Sequence, residues 1–148
     1  MTIRLADAAA TEALGHVLGG RLRPGDVVAL SGTLGAGKTT LARGILRGAG
    51  HEGDVASPTF PIVLTYDPPD TRLPVWHVDL YRIEEESELE ELGLDDARYD
   101  TALLIEWPER LPFLWPDTLR LALEATPGGG RALTSQVPPA WGERWPPR

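Results

Sequence analysis

The sequence predicts an α/β fold, because stretches typical of buried strands are interspersed with stretches typical of helices. Residues 27–31 read Val-Val-Ala-Leu-Ser, a short apolar run that predicts a buried parallel strand. Residues 101–105 form a second continuous apolar run, which predicts a central strand. Between them, residues 40–47 carry Leu41 and Ile45 four positions apart and are followed by glycines, so a helix is predicted there.

The remaining elements can be predicted in chain order. A first helix is predicted over 5–20, with Asp7 as its N-cap. The other predicted elements are a strand at 62–66 with its hairpin partner at 75–79, an acidic helix at 84–92, and an antiparallel pair at 118–124 and 131–137. Residues 138–148 are rich in Pro, Trp and Arg without any period, so we predict one domain over 1–137 followed by a loosely held tail.

The composition is that of an ordinary globular protein, with 42% hydrophobic and 24% charged residues. A net charge of −8 argues against a dominant, non-specific grip on nucleic acid. The absence of cysteine excludes disulfides and cysteine-ligated metals and suits a cytoplasmic protein. Since no apolar run approaches the ~18 residues of a membrane span, we expect no membrane association.

The most informative motif is Gly-Thr-Leu-Gly-Ala-Gly-Lys-Thr at 32–39, which fits the phosphate-binding pattern G-x-x-x-x-G-K-[ST]. A strand before it and a helix after it aim backbone N–H groups at an anion. Lys38 is the only lysine in the chain and would reach the β- and γ-phosphates, while the Thr39 hydroxyl would bind Mg²⁺. The predicted nucleotide-binding residues here are Gly32, Leu34, Gly35, Ala36, Gly37, Lys38, Thr39 and Thr40.

A phosphate loop also needs a carboxylate at the end of a nearby strand, to hold Mg²⁺ or to orient water. Glu106 follows the apolar strand directly and Asp79 ends another strand, although either acid could instead form a salt bridge with an arginine. We expect Glu106 to be a hydrated acid in the free protein. Thr59 lies where nucleotide switches often place a hydroxyl, although it could also cap a turn. His77 shares the strand face of Asp79, and we predict a packed, hydrogen-bonded histidine, not a catalytic one.

Several stretches in this order and spacing resemble the TsaE family, the small bacterial ATPases required for the threonylcarbamoyl modification of adenosine-37 in tRNA. They are 32–40, Ser-Pro-Thr-Phe at 57–60, His-Val-Asp-Leu-Tyr-Arg at 77–82, Glu-Leu-Gly-Leu at 91–94 and Ile-Glu-Trp-Pro-Glu at 105–109. The resemblance implies a P-loop NTPase-like three-layer sandwich with a mixed, mainly parallel central sheet. It also implies Mg²⁺ and ATP as ligands, the TsaB–TsaD pair as protein partner, and tRNA contacted only through that complex.

The resemblance further implies roles for individual residues. Lys38 would act on the phosphates, and Thr39, Glu106 and Asp79 would form the metal site and its neighbouring acid. Thr59 would be the switch residue. Thr11 and Arg131 match positions near the base and phosphates of the nucleotide.

Two other function classes stay open from the sequence. A small-molecule kinase would need a basic lid and an acceptor pocket, and no arginine-rich lid segment is found. A binding module that uses nucleotide without turning it over fits a chain with little beyond the nucleotide site. Turnover by the purified protein, alone and with partners, separates these classes from an ATPase.

Overall fold

The computed structural model describes residues 2–33, 37–55 and 62–146. The strands are β1 Thr2–Leu5, β2 Val27–Ser31, β3 Val63–Tyr66, β4 Val75–Asp79, β5 Ala102–Glu106, β6 Leu119–Ala125 and β7 Arg131–Gln136. The α-helices are α1 Ala8–Gly19, α2 Lys38–Gly48, α3 Glu86–Leu92 and α4 Leu94–Ala97, with short 3-10 helices at Pro108–Arg110 and Pro139–Arg144. No helix in these ranges is long and apolar enough to cross a membrane.

All seven strands form one sheet in the order β1-β7-β6-β2-β5-β4-β3. The four central strands, β6, β2, β5 and β4, run parallel to one another. Antiparallel strands flank these four on both sides. On one side β3 pairs with β4, and on the other β7 pairs with β6 and β1 pairs with β7. The predicted mixed α/β sheet and both predicted antiparallel pairs are therefore confirmed.

Side chains that alternate along the central strands fill two separate cores. Val28 and Leu104 pack in a cluster that contains the apolar faces of α1 and α2, whereas Val27 and Leu103 pack in a second cluster with Leu89 and other residues of the α3–α4 side. Helices on both faces of a largely parallel sheet form three layers, as predicted. The carboxyl ends of β2, β4 and β5 meet at the edge where α2 begins.

Helices α1 and α2 lie side by side in the same direction with their backbones in contact. A Cβ atom added at Gly44 would lie 2.3 Å from the Glu12 carbonyl oxygen, and one at Gly48 would lie 2.0 Å from that of His16. Glu12 of α1 therefore lies beside Gly44 of α2, and His16, four residues later, lies beside Gly48, also four residues later. The two helices are thus parallel. The amino end of α1 therefore lies at the same end of the domain as the amino end of α2.

Two sequence predictions fail at the ends of the chain. The helix predicted over 5–20 begins only at Ala8, although the predicted N-cap is confirmed: the Asp7 carboxylate accepts a hydrogen bond from the Ala10 N–H. The residues before the cap form β1, whose pairing with β7 decides their conformation. The tail is not loosely held as far as 146, since Trp141 and Trp145 are only 1% and 6% exposed. No structural observation tests the proposed domain boundary itself, which stays a prediction.

Candidate nucleotide-binding site

The described part of the phosphate loop shows why glycine stands at both of its ends. Gly32 and Gly37 have φ angles of 142° and 103°, in the region that side chains rarely adopt. Gly37 is also the N-cap of α2, so the first N–H groups of the helix open onto the loop. Thr39 and Thr40, both half-buried, lie in this first turn. The predicted site residues Leu34, Gly35 and Ala36 lie outside the described residues.

The side chain of Lys38 lies at the mouth of the loop and is 5% exposed. Its Nζ donates a hydrogen bond of 2.6 Å to the Gly32 carbonyl oxygen and lies 3.8 Å from the centre of the Trp107 ring. Burial lowers the pKa of the ammonium group, and the carboxylates of Glu106, Glu109 and Asp79 oppose that shift. A buried cation with so few donors engaged is suited to bind an anion.

The two strand-end acids lie side by side. In the parallel pairing of β4 with β5, Asp79 is directly opposite Glu106, so both carboxylates project from the same face of the sheet. They are 6% and 3% exposed. Burial raises the pKa of Asp79, and the neighbouring Glu106 adds to the rise, whereas the Tyr81 N–H bonded to its Oδ1 acts against it. Two buried acids beside one lysine make a place where added positive charge is stabilised.

The expectation of a hydrated Glu106 is wrong. Its Oε2 lies 2.6 Å from Nε2 of His77, whose side chain is fully buried. The prediction of a packed, hydrogen-bonded His77 is confirmed. The alternative of a salt bridge between Glu106 and an arginine finds no counterpart among the described residues, where the Glu106 carboxylate contacts this histidine instead.

The carboxylate and hydroxyl oxygens of this site fit a metal ion that also binds the phosphates of a nucleotide. No group of three or more His, Cys, Asp or Glu side chains able to hold a metal is found within 2–33, 37–55 and 62–146. Magnesium, however, usually takes only one or two carboxylates together with substrate phosphates and water. Asp79, Glu106 and the Thr39 hydroxyl are donors of that kind, so they fit Mg²⁺ that arrives with a nucleotide.

The other predicted residues are placed less directly. Arg131 lies against the phosphate loop, because a Cβ at Gly37 would be 3.3 Å from its Nε. Thr11 lies in α1, at the end of the domain where α2 begins, but it is 1% exposed and its hydroxyl donates to the Asp7 carbonyl within its own helix. Thr59 lies outside the described residues. The roles of all three stay predictions.

Sequence reasoning missed Trp107 as a part of this site. It has a left-handed backbone (φ 60°), stands directly after Glu106, and contacts both Lys38 and the Tyr81 ring, whose centre is 4.8 Å from its own. A left-handed conformation is rare for a large side chain and often marks a functional turn. Its position next to a strand-end acid was the available signal.

Comparisons with known proteins agree with the fold and with the family resemblance. A family model described as "TsaE: Threonylcarbamoyl adenosine biosynthesis protein TsaE" matches residues 5–133. The tRNA threonylcarbamoyladenosine biosynthesis protein TsaE of Streptomyces coelicolor is 42% identical over 135 residues, which cover 89% of this chain and 91% of that protein. Its namesake from Synechocystis is 42% identical over 121 residues, 77% of this chain and 74% of the relative. The crystal structure of Bacillus subtilis YdiB superposes with a TM-score of 0.78 at 28% identity, covering 97% of this chain and 90% of that one.

Proposed function

Because this chain belongs to the TsaE family, we propose that it is a Mg²⁺-dependent ATPase required for the threonylcarbamoyladenosine modification of tRNA. The observation that carries the proposal is the meeting of Lys38, Asp79 and Glu106 at the mouth of a phosphate loop. We propose that the protein acts in the cytoplasm by nucleotide-dependent association with the TsaB–TsaD pair, which it resets between cycles. It would meet tRNA only through that complex, in keeping with its net charge of −8.

Each residue of the site has a proposed task in ATP hydrolysis. Lys38 binds the β- and γ-phosphates, and the first N–H groups of α2 bind the same anion. Thr39 and Glu106 would hold Mg²⁺, whose charge would stabilise negative charge on the phosphoryl oxygens. Asp79, whose pKa is raised, either shares the metal or accepts a hydrogen bond from the attacking water.

Turnover by the isolated protein is expected to be slow. The described site combines Lys38 with the strand-end acids Asp79 and Glu106. The one glutamine of the chain, Gln136, is paired with Arg120 on β6, away from these acids, so it does not orient water for them. An arginine supplied by a partner can be worth ~10³–10⁵ in rate. We propose that the TsaB–TsaD pair completes the site or brings 57–61 against the nucleotide.

The coupling can be measured as affinity for the TsaB–TsaD pair with an ATP analogue, with ADP and without nucleotide. We expect binding to be tightest with the ATP analogue, and by linkage the pair should tighten ATP-analogue binding by the same factor. Steady-state ATP hydrolysis, with and without the pair and tRNA, separates an ATPase from a binding module without turnover. Equal affinity in all three nucleotide states would leave only a simple hydrolase.

The site itself is tested by Lys38→Ala. Removing the cation at the loop mouth should abolish ATP binding in a fluorescence or calorimetric titration, because no other lysine exists to replace it. Arg47→Ala is the matched control, since Arg47 lies on the same helix but forms an ion pair with Glu12 at 3.1 Å on the surface. Wild-type affinity in Lys38→Ala would count against the phosphate site.

A further inference from the structure

We infer that His77 is a positioning residue for the site, which holds one oxygen of the Glu106 carboxylate and so leaves the other for a metal ion. The inference rests on the proposed function, because it assigns a support to the acid that is proposed to bind Mg²⁺.

The strand register explains how His77 comes to touch Glu106. His77 is paired with Leu104, whereas Glu106 is paired with Asp79. Glu106 lies directly opposite Asp79 on the neighbouring strand. Its side chain therefore extends back along β4 to His77, which precedes Asp79 by two residues and lies on the same face of the sheet. Without an anchor, two neighbouring carboxylates would repel each other and turn apart.

Burial makes this contact specific. His77 is 0% exposed and Glu106 is 3% exposed, and the Nε2–Oε2 distance of 2.6 Å is that of a short, charge-assisted hydrogen bond. The Nδ1 atom of His77 has no hydrogen-bond partner in the described part of the chain. The histidine is thus oriented by packing and by Glu106 alone, and its one polar contact is with the proposed ligand.

Asp79 is held in a comparable way, because its Oδ1 accepts a hydrogen bond of 2.9 Å from the Tyr81 N–H. Each acid therefore has one oxygen engaged by the protein, and Glu106 Oε1 has no hydrogen bond among the described residues. Magnesium demands near-ideal octahedral geometry, so a carboxylate that is fixed beforehand binds it better than one that rotates.

The test compares His77→Gln with His77→Asn. The glutamine amide nitrogen reaches about as far as Nε2 and can still donate to Glu106, whereas the asparagine amide ends near the Nδ1 position and cannot. The readout is the Mg²⁺ concentration that gives half of the Mg²⁺-dependent gain in affinity for a fluorescent ATP analogue. We expect His77→Asn to raise it by about 10–100-fold, the usual cost of losing a partner of a metal ligand. His77→Gln should stay within a few-fold of wild type, and all affinities in EDTA should be equal.

A second arm separates positioning from plain structural support. In a Glu106→Gln background, His77→Asn should not change the Mg²⁺ midpoint further, because its effect passes through Glu106. A wild-type midpoint in His77→Asn, or an equal added shift in both backgrounds, would overturn the inference.

Folding is the remaining control. His77→Met fills a similar volume without a donor and replaces His77→Asn if that variant does not fold. If neither folds while His77→Gln does, the role is structural and the inference is wrong. If the wild-type protein itself shows no Mg²⁺-dependent nucleotide binding, the proposed function fails instead.

Discussion

At the scale of single residues, the site contains ionisable side chains whose charged forms are disfavoured by burial. Burial lowers the pKa of Lys38 and raises that of Asp79, so both ionised forms are disfavoured in the folded protein. Groups perturbed in this way by burial and by each other cluster at functional sites. These buried charges therefore lower the stability of the free protein, and a bound ligand of opposite charge would offset that loss.

Asp79→Asn should make the free protein more stable at neutral pH. The raised pKa means that the folded state disfavours the Asp79 carboxylate, and an asparagine Oδ1 can still accept the Tyr81 N–H. Melting in EDTA should show a Tm gain of a few degrees at pH 7. The folded protein holds this proton to a higher pH than the unfolded chain, so the penalty is absent below about pH 4 and grows as the pH rises through the raised pKa.

The control for this experiment is Asp117→Asn, which removes a half-buried carboxylate that pairs with Arg98 at 2.6 Å. That variant should be neutral or slightly less stable at pH 7. A destabilised Asp79→Asn protein at pH 7 would show that the Asp79 charge supports the fold, through Lys38 or His77, and would contradict the reasoning from its pKa.

Which site residues the sequence could predict depends on how far apart their partners lie in the chain. Lys38 and the glycines on each side follow from one contiguous motif, and Asp79 and Glu106 follow from their places at strand ends. The contact between His77 and Glu106 spans 29 residues and depends on the β4–β5 register, which no local pattern specifies. The hydrated Glu106 was a wrong expectation for this reason.

At the scale of elements, α1 and α2 are joined by glycines spaced four apart on each helix: Gly15 and Gly19 on α1, Gly44 and Gly48 on α2. Because these residues have no Cβ atom, the two helix backbones approach so closely that a Cβ at any of the four positions would clash with the other helix. Small residues at this spacing are known for close helix packing in membranes, and the steric reason is the same here. The packing fixes where α2 begins, and so where the phosphate loop ends.

Gly19→Ala should therefore destabilise the protein severely, whereas Gly20→Ala should not. A Cβ at Gly19 would lie 2.0 Å from the Ile45 carbonyl oxygen, and backbone cannot move aside as a side chain can. We expect a loss of about 3 kcal/mol, the upper part of the usual range for overpacking. At Gly20 the nearest atom is 3.5 Å away and φ is −67°, so alanine should be neutral or stabilise by about 0.4–1 kcal/mol.

Urea unfolding of the two variants measures this difference directly. Equal free energies of unfolding for Gly19→Ala and Gly20→Ala would show that the helices can separate at little cost. The sequence alone predicted both helices but not this contact, because glycine inside a helix is also a helix-ending signal. The glycine pair at 19–20 is typical of a helix end, and Gly19 is indeed the last residue of α1, but the same residue also packs on α2.

At the scale of the whole molecule, the nucleotide site and the carboxyl-terminal segment lie at opposite ends of β2. The phosphate loop follows the end of β2, whereas Asp26, just before β2, accepts two hydrogen bonds from the Arg144 guanidinium at 2.6 and 3.1 Å. Trp145 donates to the Ser135 hydroxyl, and Trp141 belongs to the core that includes α1 and α2. Composition without periodicity could not predict this, because isolated tryptophans anchor a segment through partners that are distant in the chain.

Trp141→Ala should therefore destabilise the fold without changing the nucleotide site. The side chain is 1% exposed, and truncating a buried tryptophan costs about 3–5 kcal/mol through lost contacts and the cavity left behind. For a chain of this size that corresponds to a Tm lower by roughly 6–20 °C. Glu143→Ala, an exposed change two residues further along the chain, should stay within about 0.5 kcal/mol of wild type. Below the melting range, both variants should bind Mg²⁺-ATP with wild-type affinity, because Trp141 lies at the end of the domain opposite the phosphate loop. A wild-type Tm for Trp141→Ala would instead support the prediction of a loosely held tail. Weakened ATP binding in the folded variant would show that the two ends of the domain are coupled.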